Sequence, residues 1–187
     1  MRVITGKARG VQLKTPEGML TRPTADRVKE ALFSIINFDL PGAAVLDLFG
    51  GTGQLGIEAL SRGSAHCTFV EKRRDALVLL KENLKLTNLQ DQARVVPGDA
   101  LTFLTSCREK FDVILLDPPY HTDLMDKSIE SILLFDILAE HGIMVCETAS
   151  DRELPALPED KFEPGRSYRY GQIKLSIFRR KGKERSE

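Results

Sequence analysis

The segment Ala44-Val45-Leu46-Asp47-Leu48-Phe49-Gly50-Gly51-Thr52-Gly53-Gln54-Leu55-Gly56 restricts the fold more than any other part of this chain. Its apolar start reads as a buried strand, and its glycines allow a tight turn that lets backbone approach a ligand closely. A helix follows from about Leu55 to Ser61, and a second apolar run, Cys67-Thr68-Phe69-Val70, ends in Glu71. Strand, glycine turn, helix, strand and terminal acid form the first half of a nucleotide-binding βαβ unit, where such an acid commonly takes a ribose hydroxyl pair. Gly51, Gly53 and Gly56 also satisfy G-x-G-x-x-G, so this segment alone leaves a nicotinamide oxidoreductase open.

The rest of the chain repeats the alternation. Arg73 to Thr87 carries Ala76, Leu77, Leu80 and Leu84 on one helical face, and Ala93-Arg94-Val95-Val96 is a third strand. Asp99 then either caps a helix running toward Ser106 or accepts from an adenine amino group. A fourth strand ends at Leu116, Leu124 to Leu134 is helical, and Gly142 to Glu147 is a fifth strand. Ser150 to Pro164 is a polar, proline-punctuated loop. Ser167 to Tyr170, Gly171, and Gln172 to Phe178 form a closing β-hairpin. Ahead of the glycine turn, Val3-Ile4 and Val11-Gln12-Leu13 flank Gly6-Lys7-Ala8-Arg9-Gly10, which predicts a basic β-hairpin within residues 1–20. Thr24 is placed as the N-cap of a helix whose apolar face is Val28, Ala31, Leu32, Ile35 and Ile36. Repeated βα units ending in ββ predict an α/β sandwich with a mostly parallel sheet and one antiparallel addition.

The fourth strand stops abruptly at Asp117-Pro118-Pro119-Tyr120. Neither proline can donate to a sheet ladder, and each fixes φ near −65°, so a stiff turn presents a carboxylate, a free carbonyl and a ring together. That trio suits a flat heterocycle with an exocyclic amine: Asp117 and the Pro118 carbonyl accept its two N–H bonds, and Tyr120 stacks on the ring.

Length and composition narrow the class. At 187 residues, 42% hydrophobic and 29% charged, the chain fits one soluble domain. It shows neither an apolar run of membrane-spanning length nor a signal-peptide pattern, and Cys67, Cys107 and Cys146 are unpaired in number and far apart. A reducing, cytoplasmic setting is therefore expected. His66, His121 and His141 share no ligand spacing, which argues against a metal. Formal charge is zero, yet both ends are basic, a pattern that suits a polyanionic partner. Residues 180–187 are expected to form a flexible basic tail.

Asp47-Leu48-Phe49-Gly50-Gly51-Thr52-Gly53, Glu71, Gly98-Asp99-Ala100 and Asp117-Pro118-Pro119-Tyr120 occur in the order and spacing of class I S-adenosylmethionine (SAM) methyltransferases. More narrowly, the whole chain resembles the bacterial 16S rRNA guanine-N2 methyltransferases of the RsmD type. The narrower likeness is carried by Arg22-Pro23-Thr24, Arg27-Val28-Lys29-Glu30-Ala31-Leu32-Phe33, the basic start and Tyr170-Gly171-Gln172. One departure is Gly50, where the family pattern has alanine.

The resemblance implies a three-layer, Rossmann-like fold with a seven-stranded sheet and an N-terminal hairpin-plus-helix extension. It implies SAM as cofactor, held by Asp47, Phe49, Gly50, Gly51, Gly53, Glu71, Lys72, Asp99, Ala100 and Asp117. Asp117, Pro118 and Tyr120 are the implied catalytic residues. Arg2, Lys7, Arg9 and Arg22 are the implied RNA-binding ones. The implied partner is 16S rRNA, in the small ribosomal subunit or an assembly intermediate; separately, the protein is expected to act as a monomer. The alternatives are an adenine-N6 methyltransferase on DNA or RNA, the nicotinamide enzyme, and a non-catalytic SAM-binding assembly factor.

Overall fold

The computed structural model describes residues 1–16 and 23–182. Its strands are β1 (Ala44–Asp47), β2 (His66–Glu71), β3 (Ala93–Pro97), β4 (Phe111–Leu116), β5 (Leu138–Ala149), β6 (Arg166–Tyr170) and β7 (Ile173–Arg179). They form one sheet in the order β3-β2-β1-β4-β5-β7-β6. Strands β1 to β5 are parallel, while β7 runs antiparallel to both β5 and β6. The helices are α1 (Pro23–Ile35), α2 (Gln54–Ser61), α3 (Arg74–Leu86), α4 (Ala100–Ser106) and α5 (Leu124–Leu134).

Why the strands read as unbroken apolar runs is visible in β4. Val113 and Leu115 join a core with Leu32 and Phe33 of α1, Ile57 and Leu60 of α2, and Leu80 and Leu84 of α3. Their neighbours Ile114 and Leu116 point the other way, into a second core with Leu104 of α4 and Ile129 and Ile132 of α5. The period of two thus serves two buried faces, as expected of a parallel sheet covered on both sides. The result is the three-layer sandwich.

Two expectations are corrected. Helix α1 begins at Pro23, so Thr24 lies within its first turn rather than capping it. Proline tolerates that first position because its missing N–H has no intrahelical partner there. Strand β5 starts at Leu138, earlier than Gly142. Leu138 pairs with Phe111 and Ile143 with Val113, so a bulge takes up the residues between.

The N-terminal segment folds back on itself as a short hairpin: around the antiparallel Arg2–Gln12 bridge, Val3 N–H donates to the Val11 carbonyl at 3.0 Å, Gly10 N–H to the Val3 carbonyl at 2.9 Å and Leu13 N–H to the Met1 carbonyl at 2.8 Å. Donors of the loop between its two arms are engaged by α2. Ile4 and Thr5 N–H donate to the Glu58 carboxylate at 2.8 and 3.0 Å, Lys7 N–H to the Ser61 carbonyl at 2.8 Å, and Ala8 N–H to Ser61 Oγ at 3.0 Å. Glu58 is fully buried and is further satisfied by Arg62 Nε at 2.9 Å and Lys29 Nζ at 3.8 Å. Gly6 is required where the segment crosses α2: its φ is +88°, and a Cβ would lie 1.8 Å from the Ser61 carbonyl oxygen. Further along, Asn83 of α3 accepts from Lys14 N–H at 2.7 Å and donates to the Lys14 carbonyl at 3.0 Å.

The basic C-terminal residues are also held rather than loose up to Lys181. Arg179 grips Asp39 with two nitrogens at 2.8 and 3.1 Å. Arg180 reaches Asp136, and Lys181 Nζ donates to the Glu159 carbonyl at 2.8 Å. Residues 183–187 of the expected tail lie outside the described residues. Among the described residues no helix is long and apolar enough to cross a membrane.

Candidate active site

Strand order reverses between β1 and β4, and ligands of open α/β sheets bind at the carboxyl ends of strands beside such a reversal. A cavity of about 540 Å³ opens there. Each of the five parallel strands delivers one acid to its lining: Asp47 from β1, Glu71 from β2, Asp99 just past β3, Asp117 just past β4, and Glu147 from β5.

The glycine turn packs against β2. Gly50 N–H donates to the Val70 carbonyl at 2.9 Å and Gly53 N–H to the Gly50 carbonyl at 2.7 Å. Glu71 is fixed by one amide on each oxygen, Gly51 N–H at 2.8 Å and Arg73 N–H at 2.7 Å. Gly50 and Gly51 line the cavity, whereas Gly53 does not. Gly53 begins α2 at φ +88°, and a Cβ there would sit 2.4 Å from Leu80 Cδ1. A Cβ on Gly56 would meet Phe69 Cε1 at 2.2 Å. The G-x-G-x-x-G spacing is therefore partly a packing requirement of this turn and helix. A Cβ on Gly50 finds only ordinary contacts, the nearest at 3.4 Å, so the departure from alanine costs nothing sterically.

Asp99 caps α4, with Oδ1 accepting from Leu101 and Thr102 N–H at 3.0 and 3.2 Å. Both bonds fall on one oxygen, so the cavity-lining residue keeps the other for a ligand. The two readings of Asp99 are compatible. Phe49, Lys72 and Ala100 also border the cavity.

The turn after β4 has the anticipated character. The Pro118 carbonyl receives no hydrogen bond from the described residues, while Thr122 Oγ1 donates to the Pro119 carbonyl at 2.8 Å. The Tyr120 hydroxyl donates to Glu147 Oε1 at 3.1 Å, which fixes the ring's attitude at the rim.

Electrostatically, the five acids of this wall make no salt bridge to lysine or arginine among the described residues, although Lys29, Lys72 and Arg73 also line the cavity. Asp47 is only 2% exposed, accepts from Gly56 N–H at 3.0 Å, and is pushed up to about 7, mainly by burial, with Glu71 adding. Asp117 opens onto the cavity but is otherwise walled by protein, and that enclosure raises its pKa well above the carboxylate range, helped by Glu147 and Asp47. Enclosure likewise raises Glu147, against the opposing hydrogen bond from Tyr120. Neither Asp117 nor Glu147 has a lysine or arginine partner among the described residues. Such a wall fits a cationic nucleoside: a bound sulfonium and amine favour the ionised carboxylates, and the adjoining glycine turn needs no phosphate-binding lysine.

Among the lining residues that the sequence does not assign to the site are Glu147, Pro16, Val28 and Lys29. Lys29 is buried, its charge disfavoured by burial against the pull of Glu58, and it donates to the Arg2 carbonyl at 2.7 Å. It ties the N-terminal segment to the cavity wall. Of the expected RNA contacts, Arg2, Lys7 and Arg9 are exposed on that segment, and Arg22 lies outside the described residues.

Comparison with known proteins agrees with this geometry. Residues 1–179 match the family model described as Conserved hypothetical protein 95. The Bacillus subtilis protein YlbH is 39% identical over 185 residues, 97% of this chain and 100% of that one. The Escherichia coli K12 protein named "Ribosomal RNA small subunit methyltransferase D" is 32% identical over 187 residues, 100% of this chain and 93% of its own length. The solved structure of Escherichia coli yhhF superposes with a TM-score of 0.87 at 33% identity, covering 98% of this chain and 99% of that one. The chain belongs to the Conserved hypothetical protein 95 family, the family of small-subunit ribosomal RNA methyltransferase D.

Proposed function

We propose that the protein transfers a methyl group from SAM to the exocyclic N2 of a guanine in 16S rRNA, within the small ribosomal subunit or an assembly intermediate. The observation that carries this reading is the meeting, in one cavity, of a rigid carboxylate–carbonyl–ring turn with a glycine turn and a row of five acids, one from each parallel strand. Asp47, Glu71, Asp99 and the backbone of Gly50 and Gly51 hold the cofactor, and Lys72 and Phe49 close its side. Bound SAM supplies an electrophilic methyl group on a positively charged sulfur.

Asp117 and the Pro118 carbonyl each accept one N–H of the target amine, so the nitrogen lone pair is left free and aimed. As positive charge develops on that nitrogen, both bonds strengthen, which is stabilisation specific to the transition state. Asp117 does not remove a proton first, because a carboxylate is too weak a base for a neutral aryl amine. Its raised pKa suits it to take the proton that the methylated nitrogen then sheds. Tyr120 supplies a stacking face for a base taken out of its helix or already unpaired. Arg2, Lys7 and Arg9 hold phosphates, giving affinity with little sequence information.

Asp117→Asn keeps the volume and removes the charge. Single-turnover transfer to unmethylated small subunits should fall by about 100- to 1,000-fold, with SAM affinity by calorimetry nearly unchanged. Retention of most of the rate would remove Asp117 from the reaction.

A further inference from the structure

The structure assigns Glu147 a second role in this site: its carboxylate accepts the N1–H of guanine beside the amine held by Asp117 and Pro118, and so selects guanine among the amino-bearing bases. The inference rests on the guanine reading above.

The register places the two acids side by side. Leu115 pairs with Val145 and Leu116 with Cys146, so Asp117 and Glu147 stand one step beyond the last pair on adjacent parallel strands. Neighbouring strands lie about 4.8 Å apart, so the two carboxylates face the same small volume. Tyr120 donates to Oε1 of Glu147, and Oε2 has no donor among the described residues. Glu147 is held, but half of its accepting capacity is unspent.

Its position is also distinctive. A second hollow of about 240 Å³ adjoins the cofactor cavity, reaching His121 and Arg152. Pro118, Pro119, Tyr120 and Glu147 line both spaces, so they form the boundary across which an incoming base meets the methyl donor. Asp47 and Glu71 line only the inner one.

The chemistry of the bases supplies the discrimination. Guanine carries its N2 amine next to N1–H, a continuous row of donors. Adenine and cytosine carry an amine next to a ring nitrogen that offers a lone pair. Two adjacent carboxylates accept from the first arrangement and repel the second. The enclosure that raises the Glu147 pKa is relieved by such a donor.

The test uses 2-aminopurine, which keeps the amine at C2 but has a lone pair at N1. Small subunits are reconstituted with rRNA bearing guanine or 2-aminopurine at the methylated position and given methyl-labelled SAM. The wild-type protein should favour guanine by about 10- to 100-fold, the span of a hydrogen bond to a charged group. Glu147→Gln can present an amide N–H to the unprotonated N1, and its preference should shrink by about tenfold or more. Glu147→Ala should slow transfer to guanine and leave the 2-aminopurine rate near its wild-type value. Because each preference is a ratio within one enzyme preparation, partial misfolding cancels. SAM binding, measured by calorimetry, should be retained in both variants. An unchanged preference in both variants overturns the Glu147 assignment while leaving the methyl-transfer reading intact. Loss of SAM binding with an unchanged thermal midpoint overturns it too, by moving Glu147 to the cofactor side. No label in either substrate with the wild-type protein overturns the methyl-transfer reading itself, and this assignment with it.

Discussion

At the scale of single residues, Asp47 shows how burial is turned to use. A carboxylate whose folded pKa is raised from 3.8 to about 7 binds more protons folded than unfolded across that interval. Stability contributed by the protonated form is complete below about pH 4 and declines as pH rises toward 7. Cation binding has the opposite dependence, because an ionised Asp47 attracts it. Its charge is felt by its neighbours: Asp47 helps to raise both Asp117 and the Cys67 thiol, and is itself raised by Glu71. Isothermal calorimetry should therefore show SAM affinity rising with pH up to about 7 and levelling above it, by at most about tenfold per unit. Asp47→Asn should flatten that profile. A wild-type affinity independent of pH between 5 and 8 would contradict the assignment of Asp47 to the cofactor. Asp47, Glu71, Asp99 and Asp117 were all legible in the sequence, since each follows an apolar run and an acid ending a strand has no core role. Glu147 obeys the same rule and could have been found by it. In the sequence it marks only the end of a strand, because no proline or glycine beside it announces a turn.

Among the elements, the N-terminal segment forms the hairpin its sequence predicts, but what anchors it is not written locally. Alternating apolar and basic residues around glycines indicate the hairpin. The buried Glu58 and Ser61 of α2 take the donors of its connecting loop. That partner lies more than fifty positions away, beyond the reach of local pattern. The β-strands and helices around the glycine turn were legible to within a residue or two, because each buries a face whose period is written in the chain. The bulge in β5 was not, since it depends on register with β4. Anchoring the segment at its apolar positions leaves Arg2, Lys7 and Arg9 outward. Charge reversal at Arg9 should lower the slope of log affinity for RNA against log salt by about one, and weaken RNA binding while SAM affinity and the unfolding midpoint hold. Unchanged RNA binding would remove this segment from the interface.

For the whole molecule, one sheet fixes the division of labour. Helices cover both faces of the sheet, and the order reversal between β1 and β4 places the opening at the carboxyl ends of the strands. The N-terminal segment and α1 close one side of the cavity through Pro16, Val28 and Lys29, which joins the basic surface to the reaction site through a buried lysine. The C-terminal hairpin of β6 and β7 completes the sheet beside β5 and so supports the strand that carries Glu147. The most direct test is product identity. The protein is given methyl-labelled SAM with small ribosomal subunits from cells lacking it, with naked rRNA, and with duplex DNA. Nucleosides from each are then resolved by mass spectrometry. The account predicts label in small-subunit rRNA, released as N2-methylguanosine. Label released as N6-methyladenine from either nucleic acid, or no transfer to any of the three by protein that binds SAM, would contradict it.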